Sequence, residues 1–250
     1  LDLMISPSGS FLYLVGQEGV WIYQRNIDNG KLNLTQTLLN NGIETDGFTD
    51  AKQIEVSQDG ASLYLPSYNG QSLQVLSKGG VGVFETDSAL TSPEWSSFTG
   101  AAMSPDGQFL YISQDTSPSN IYTFAIDTAA GNIKLRHTLS NDKYSQLQNI
   151  EISETGSQLV ATSTSSGAIY IFDRDEETGA LIQNTVIDDF VATAQGDDDS
   201  ALSIASAELF NRTSVAITFN QQVEQDTAED ISNYQLNRRG KILSATLQAD

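Results

Sequence analysis

Five side chains fall where chemistry with a ligand is conceivable. Glu44, Asp46 and Asp50 share one short polar stretch with Phe48, and Asp115 opens another. Two or three carboxylates beside an exposed aromatic ring suit a cation or a sugar. Asp197, Asp198 and Asp199 form a separate acidic run, and adjacent carboxylates are oxygen ligands of the kind Ca2+ takes. A solvated loop and a solvated linker explain the same residues without any ligand. Asp173-Arg174-Asp175-Glu176-Glu177 resembles a calcium loop in charge alone. It lacks the twelve-residue order of ligands, so a hairpin is the better reading.

Other chemistries find no support. The chain has 250 residues and no cysteine, which excludes a disulfide framework and thiolate metal sites. No serine-centred nucleophile elbow occurs. Gly79-Gly80-Val81-Gly82 is the one glycine-rich stretch, and it interrupts a β segment instead of opening a helix. With 12 Lys+Arg against 32 Asp+Glu, the net charge of −20 repels phosphate backbones, so nucleic acid is not expected as a partner. No apolar run reaches the ~18 residues of a membrane-spanning helix.

The elements that must position these residues follow a repeat. Four turns recur: Ser6-Pro7-Ser8-Gly9, Ser57-Gln58-Asp59-Gly60, Ser104-Pro105-Asp106-Gly107 and Ser153-Glu154-Thr155-Gly156. Their glycines are spaced by 51, 47 and 49 residues (60−9, 107−60, 156−107). Six and four residues before each glycine stand apolar side chains: Leu3 and Ile5, Ile54 and Val56, Ala101 and Met103, Ile150 and Ile152. That two-residue period predicts a strand with one buried face. After each turn comes a second strand, Leu12-Tyr13-Leu14, Leu63-Tyr64-Leu65, Leu110-Tyr111-Ile112 and Leu159-Val160-Ala161. A third strand follows in every unit, and a fourth after Gly30, Gly131 and Gly179. The second unit departs at Gly79–Gly82, where a bulge or an irregular hairpin is expected. Four strands per unit at this period predict an all-β fold, a β-propeller with four four-stranded blades over residues 1–190.

On this plan the repeat turns share one face with the third-to-fourth hairpins. The varied loops, including 40–50, 91–98, 115–120 and 140–147, share the other, where binding is expected. The single histidine, His137, falls on an outer fourth strand. Arg25 and Arg174 end third strands, and Arg136 lies on a fourth. No arginine falls on an inner strand. Residues 191–202 read as an acidic linker, and 203–250 as a smaller β unit with a different spacing.

Units one, three and four resemble the lactonase-like and surface-layer seven-bladed propeller family. The resemblance rests on Ser104-Pro105-Asp106-Gly107-Gln108-Phe109-Leu110-Tyr111, on Ile121-Tyr122-Thr123-Phe124-Ala125-Ile126-Asp127 and on Gly131-Asn132-Ile133. It implies a ring of about seven blades, of which four are visible, the others lying upstream of Leu1. It also implies catalytic His, Arg and Glu near the central channel in the enzymatic members, and none of these carries over to a matched position. Val215–Val223, Ile231–Tyr234 and Ser244–Leu247 resemble the Ig-like domains of bacterial surface-layer proteins, which implies a partial Ig-like sandwich. The expectation is a non-enzymatic binding or scaffold module of a large secreted or cell-surface prokaryotic protein. Its partner would be a surface ligand, a glycan or a protein, and Ca2+ is the one cofactor suggested. The alternative is a lactone or ester hydrolase whose catalytic residues lie in blades outside this chain.

Overall fold

Alternating apolar residues fold into four antiparallel meanders in a computed structural model that describes residues 2–16, 18–39, 51–69, 71–128, 132–187, 204–211, 214–219 and 225–229. Blade 1 comprises β1 (Asp2–Ile5), β2 (Phe11–Gly16), β3 (Gly19–Arg25) and β4 (Leu32–Leu39). Blade 2 comprises β5 (Glu55–Val56), β6 (Ser62–Pro66), β7 (Ser72–Gly80) and β8 (Val83–Thr91). Blade 3 comprises β9 (Phe98–Met103), β10 (Phe109–Gln114), β11 (Asn120–Asp127) and β12 (Asn132–Ser140). Blade 4 comprises β13 (Leu147–Ile152), β14 (Gln158–Ser163), β15 (Ile169–Arg174) and β16 (Leu181–Ile187). In each sheet the strands pair in chain order. The architecture is the all-β propeller expected from the repeat. The irregular hairpin of blade 2 is present as a register shift between Lys78 and Gly80.

The repeat turn works by hydrogen bonding. The hydroxyls of Ser6, Ser57, Ser104 and Ser153 accept from the amides of Phe11, Ser62, Phe109 and Gln158, at 3.0, 2.9, 2.9 and 3.1 Å. Each such bond satisfies the first amide of a second strand. Gly9, Gly60, Gly107 and Gly156 all hold φ near +70° (69 to 73), where a side chain is strained. In the second and third turns an aspartate adds to this. Asp59 accepts from the Ser57 hydroxyl and the Ala61 amide, and Asp106 from the Ser104 hydroxyl and the Gln108 amide.

The blades pack face to face, so a second strand buries both its sides. Leu110 and Ile112 pack with Tyr64, Leu73 and Val75 of blade 2. Phe109 and Tyr111, on the opposite side of β10, pack with Leu159, Tyr170 and Phe172 of blade 4. At the first seam Phe11, Tyr13 and Ile22 meet Ile54, Leu63 and Leu65. Each such side chain contributes roughly 1.5–3 kcal/mol by leaving water. Aromatic rings dominate the seams: Tyr13 stands edge-on to Phe84, with ring centroids 5.6 Å apart.

Beyond the blades, β17 (Ile204–Asn211) and β18 (Ser214–Phe219) form an antiparallel hairpin, and α1 (Gln225–Glu229) is a single short helix. β17 runs beside β13 and β14. Val160 on β14 is 1 % exposed although no fifth blade is described. The strands expected at 233–236 and 242–247, and the linker run Asp197–Asp199, lie outside the described residues. No helix of the described residues is long and apolar enough to cross a membrane, which says nothing of strand-built membrane barrels.

Candidate functional site

The inner strands carry the residues best placed to act. Alternation sends Ile54, Val56 and Ile150 into the seams. The intervening positions point the other way. Five residues before each turn glycine stand Met4, Glu55, Ala102 and Glu151, and seven before stand Asp2, Gln53, Gly100 and Asn149. Acidic and amide side chains thus interleave with the apolar ones on β1, β5 and β13.

Cross-blade hydrogen bonds hold this inner layer. Asp2 accepts from the Ile54 amide at 3.0 Å, linking β1 to the approach of β5. The Thr99 hydroxyl donates to the Leu147 carbonyl at 2.6 Å, linking β9 to β13. Glu55 is half-buried between these strands. Burial, followed by the negative charges of Glu151 and Asp2, pushes its carboxyl up to about 8. At neutral pH Glu55 is therefore mostly a neutral acid able to donate a proton. Above the inner strands, exposed Lys52 sets its ammonium 3.1 Å from the centroid of the Tyr68 ring.

The residues singled out from sequence fare unequally. Glu44, Asp46, Phe48 and Asp50 lie outside the described residues, as do Asp197, Asp198 and Asp199. Asp115 is half-buried at the end of β10, and its amide donates to the Ser97 carbonyl at 2.8 Å. Among the described residues no group of three His, Cys, Asp or Glu side chains is placed to hold a metal ion. His137 sits on β12, with Nε2 3.1 Å from the Thr178 carbonyl. The hairpin reading of Asp173–Glu177 holds: Asp175 accepts from the amides of Glu177 and Thr178 ahead of Gly179. Arg174 is buried in a structural clasp. It donates to Tyr111, Gly156 and Asp106 at 2.7, 2.9 and 3.2 Å. Sequence reasoning missed Glu55, Glu151 and Asp2. The available signal was a carboxylate at matching registers of inner strands otherwise filled by aliphatic residues.

Comparison with known proteins follows the same lines. Residues 81–189 match the family described as lactonase, 7-bladed beta-propeller. No curated protein matches. Among solved structures, a Bacteroides uniformis protein provisionally named a 6-phosphogluconolactonase superposes with a TM-score of 0.62 at 21% identity, over 73% of this chain and 52% of that one. The periplasmic gluconolactonase of Pseudomonas aeruginosa gives 0.61 at 18% identity, over 74% and 53%. A Lactobacillus plantarum protein gives 0.64 at 17% identity, over 89% and 70%. The chain thus spans about half the length of the first two. At these identities the likeness establishes the propeller fold and leaves chemistry to the site.

Proposed function

We propose that this chain forms part of a lactone or ester hydrolase of the lactonase-like propeller class. The observation that carries this reading is Glu55, a carboxyl raised to about 8 on an inner strand, with two further carboxylates close enough to raise it. The family match over residues 81–189 supports it. Hydrolysis needs a water oxygen to bond to the carbonyl carbon and the ring C–O bond to break. The water loses a proton to a carboxylate, here Glu151, and neutral Glu55 gives one to the departing alkoxide. The product is the open hydroxy acid.

The test is turnover of a panel of neutral and phosphorylated aldonolactones by the purified chain. Glu55→Gln is expected to lower kcat by about a hundredfold with the fold retained. No turnover of any lactone, or an unaffected Glu55→Gln variant, sinks the proposal.

One observation favours a second reading. Among the described residues no arginine or histidine stands on an inner strand. A binding module of a secreted or cell-surface protein, taking a glycan or a protein on its varied-loop face, needs none. Glycan-array binding without lactone turnover separates it from the hydrolase.

A further inference from the structure

Three seams in this chain are built alike, and one blade face shows every half of such a seam with nothing against it. At the seam between blades 3 and 4, Arg174 bonds its own turn at the Gly156 carbonyl and reaches across to Asp106 and Tyr111. Its guanidinium carbon lies 5.2 Å from the Phe109 ring centroid. Gly179 lies against the same ring, so close that an added Cβ would stand 2.4 Å from it. Gly82 lies against Phe11 in the same way, at 2.6 Å. The turns also stack, Gly156 on Pro105, Gly107 on Gln58 and Gly60 on Pro7.

Blade 1 repeats the receiving half. The Arg25 amide donates to Ser10 as that of Arg174 does to Ser157, which puts the two arginines at one register. Arg25 bonds its own turn at the Gly9 carbonyl, at 3.1 Å, and no bond across a seam is described for it. Gly30 has nothing within 4 Å of an added Cβ, and Gly9 meets only Arg25. Leu3 and Ile5 are 59% and 48% exposed, whereas their counterparts Ile54 and Val56 are 1% and 8% exposed. Leu12, Leu14 and Trp21 complete a partly exposed apolar face.

We infer that this face of blade 1 receives a further blade of the same repeat on the same polypeptide, one carrying the aspartate, phenylalanine and tyrosine of Asp106, Phe109 and Tyr111. A second copy fits poorly. Joined head to tail it would present Thr155, Gln158 and Val160 at those three registers, on strands beside which β17 already runs. Joined face to face it would set Arg25 against Arg25. The share of the solved propellers that the chain covers, 52% and 53%, leaves room for such a blade.

The experiment places a copy of residues 98–148 ahead of residue 2, so that Gln148 takes the register of Leu1. Trp95 is 4% exposed, so acrylamide quenching reads Trp21, the other of the two tryptophans. The extension is expected to lower the quenching constant of Trp21 roughly twofold or more. An extension carrying Asp106→Thr, Phe109→Gln and Tyr111→Val in the copied blade should protect Trp21 less. Unchanged quenching in a cooperatively melting extended chain overturns the inference. The unextended chain supplies a second measurement that needs no new blade to fold. There Leu14→Glu should leave the melting temperature nearly unchanged, while Leu65→Glu lowers it steeply. Equal losses, or a stable dimer of the unextended chain with Trp21 protected, overturn the inference as well.

Discussion

Arg174 Nε donates to the Tyr111 hydroxyl at 2.7 Å across the seam between blades 3 and 4. The tyrosine passes its own proton on to the Gly179 carbonyl at 3.0 Å. Burial pushes the Tyr111 phenol up to about 12, although the arginine's charge pulls the other way. The Arg174 side chain is 1% exposed and its ion-pair partner Asp106 33%. One guanidinium thus ties two blades together at three points and lies over two aromatic rings.

Removing that guanidinium leaves a buried hydroxyl and a carbonyl short of partners. Arg174→Ala is expected to cost about 3 kcal/mol or more. Arg174→Lys keeps the charge but cannot span all three acceptors, and should cost about half as much. Urea denaturation of the purified variants measures both. Equal stability of wild type and Arg174→Ala would show that the clasp contributes nothing net.

Two glycines with nearly the same backbone should respond differently to alanine. Gly30 and Gly179 have φ of 71° and 73°. At Gly30 an added Cβ meets nothing, so Gly30→Ala should cost only the strain of positive φ, about 1–2 kcal/mol. At Gly179 the same Cβ overlaps the buried ring of Phe109, and the loss should exceed that of Gly30→Ala by about 1–3 kcal/mol. The pair of melting curves checks this with strain held constant.

Much of the scaffold was legible because it is local. Ser104 and Gly107 sit three residues apart, and Leu110, Tyr111 and Ile112 alternate sides within one strand. Even the departure at Gly79–Gly82 was visible as glycines in a strand. The clasp was not, because Arg174 and Tyr111 meet only when two blades pack. Glu55 was hidden for a different reason. A lone carboxylate in a strand pattern reads as an exposed position, and its shift arises from Glu151 and Asp2, which belong to other blades. The pairing of Phe109 with Gly179 is likewise a property of the seam.

Stability should pass through a maximum in mildly acidic solution. The Asp59 carboxyl is held below its ordinary value, chiefly by the hydrogen bond from the Ser57 hydroxyl. A depressed carboxyl contributes stability above its unfolded value, and that contribution is lost as pH falls through the folded one. Asp106 is held low as well: burial opposes the shift, but the Ser104 and Gln108 hydrogen bonds and Arg174 outweigh it. Glu55 has the opposite sign. Between its ordinary 4.5 and about 8 the folded state keeps a proton that the unfolded state has released. Stability therefore declines as pH rises across that window and levels off above it. Glu55→Gln should flatten the decline without altering the acid limb. Urea midpoints from pH 3 to pH 9 give both limbs.

The charge partners of Glu55 can be tested apart from any activity. If Glu151 helps hold the proton on Glu55, Glu151→Gln removes a negative charge and must lower the Glu55 pKa from about 8. Asp2→Asn should act in the same direction and more weakly, because Asp2 is the smaller of the two charge effects and its carboxylate also accepts from the Ile54 amide. Burial is the largest cause, so even the double variant should leave Glu55 above its ordinary value. Carboxyl carbon titration by NMR on glutamate-labelled protein resolves the shift directly. A Glu55 that titrates near 4.5 in the wild-type chain would remove the neutral acid from the inner strand. The hydrolase reading would then lose the observation that carries it. A raised value that ignores both substitutions would leave burial as its whole cause, and Glu151 would have no electrostatic hold on the group it is proposed to serve.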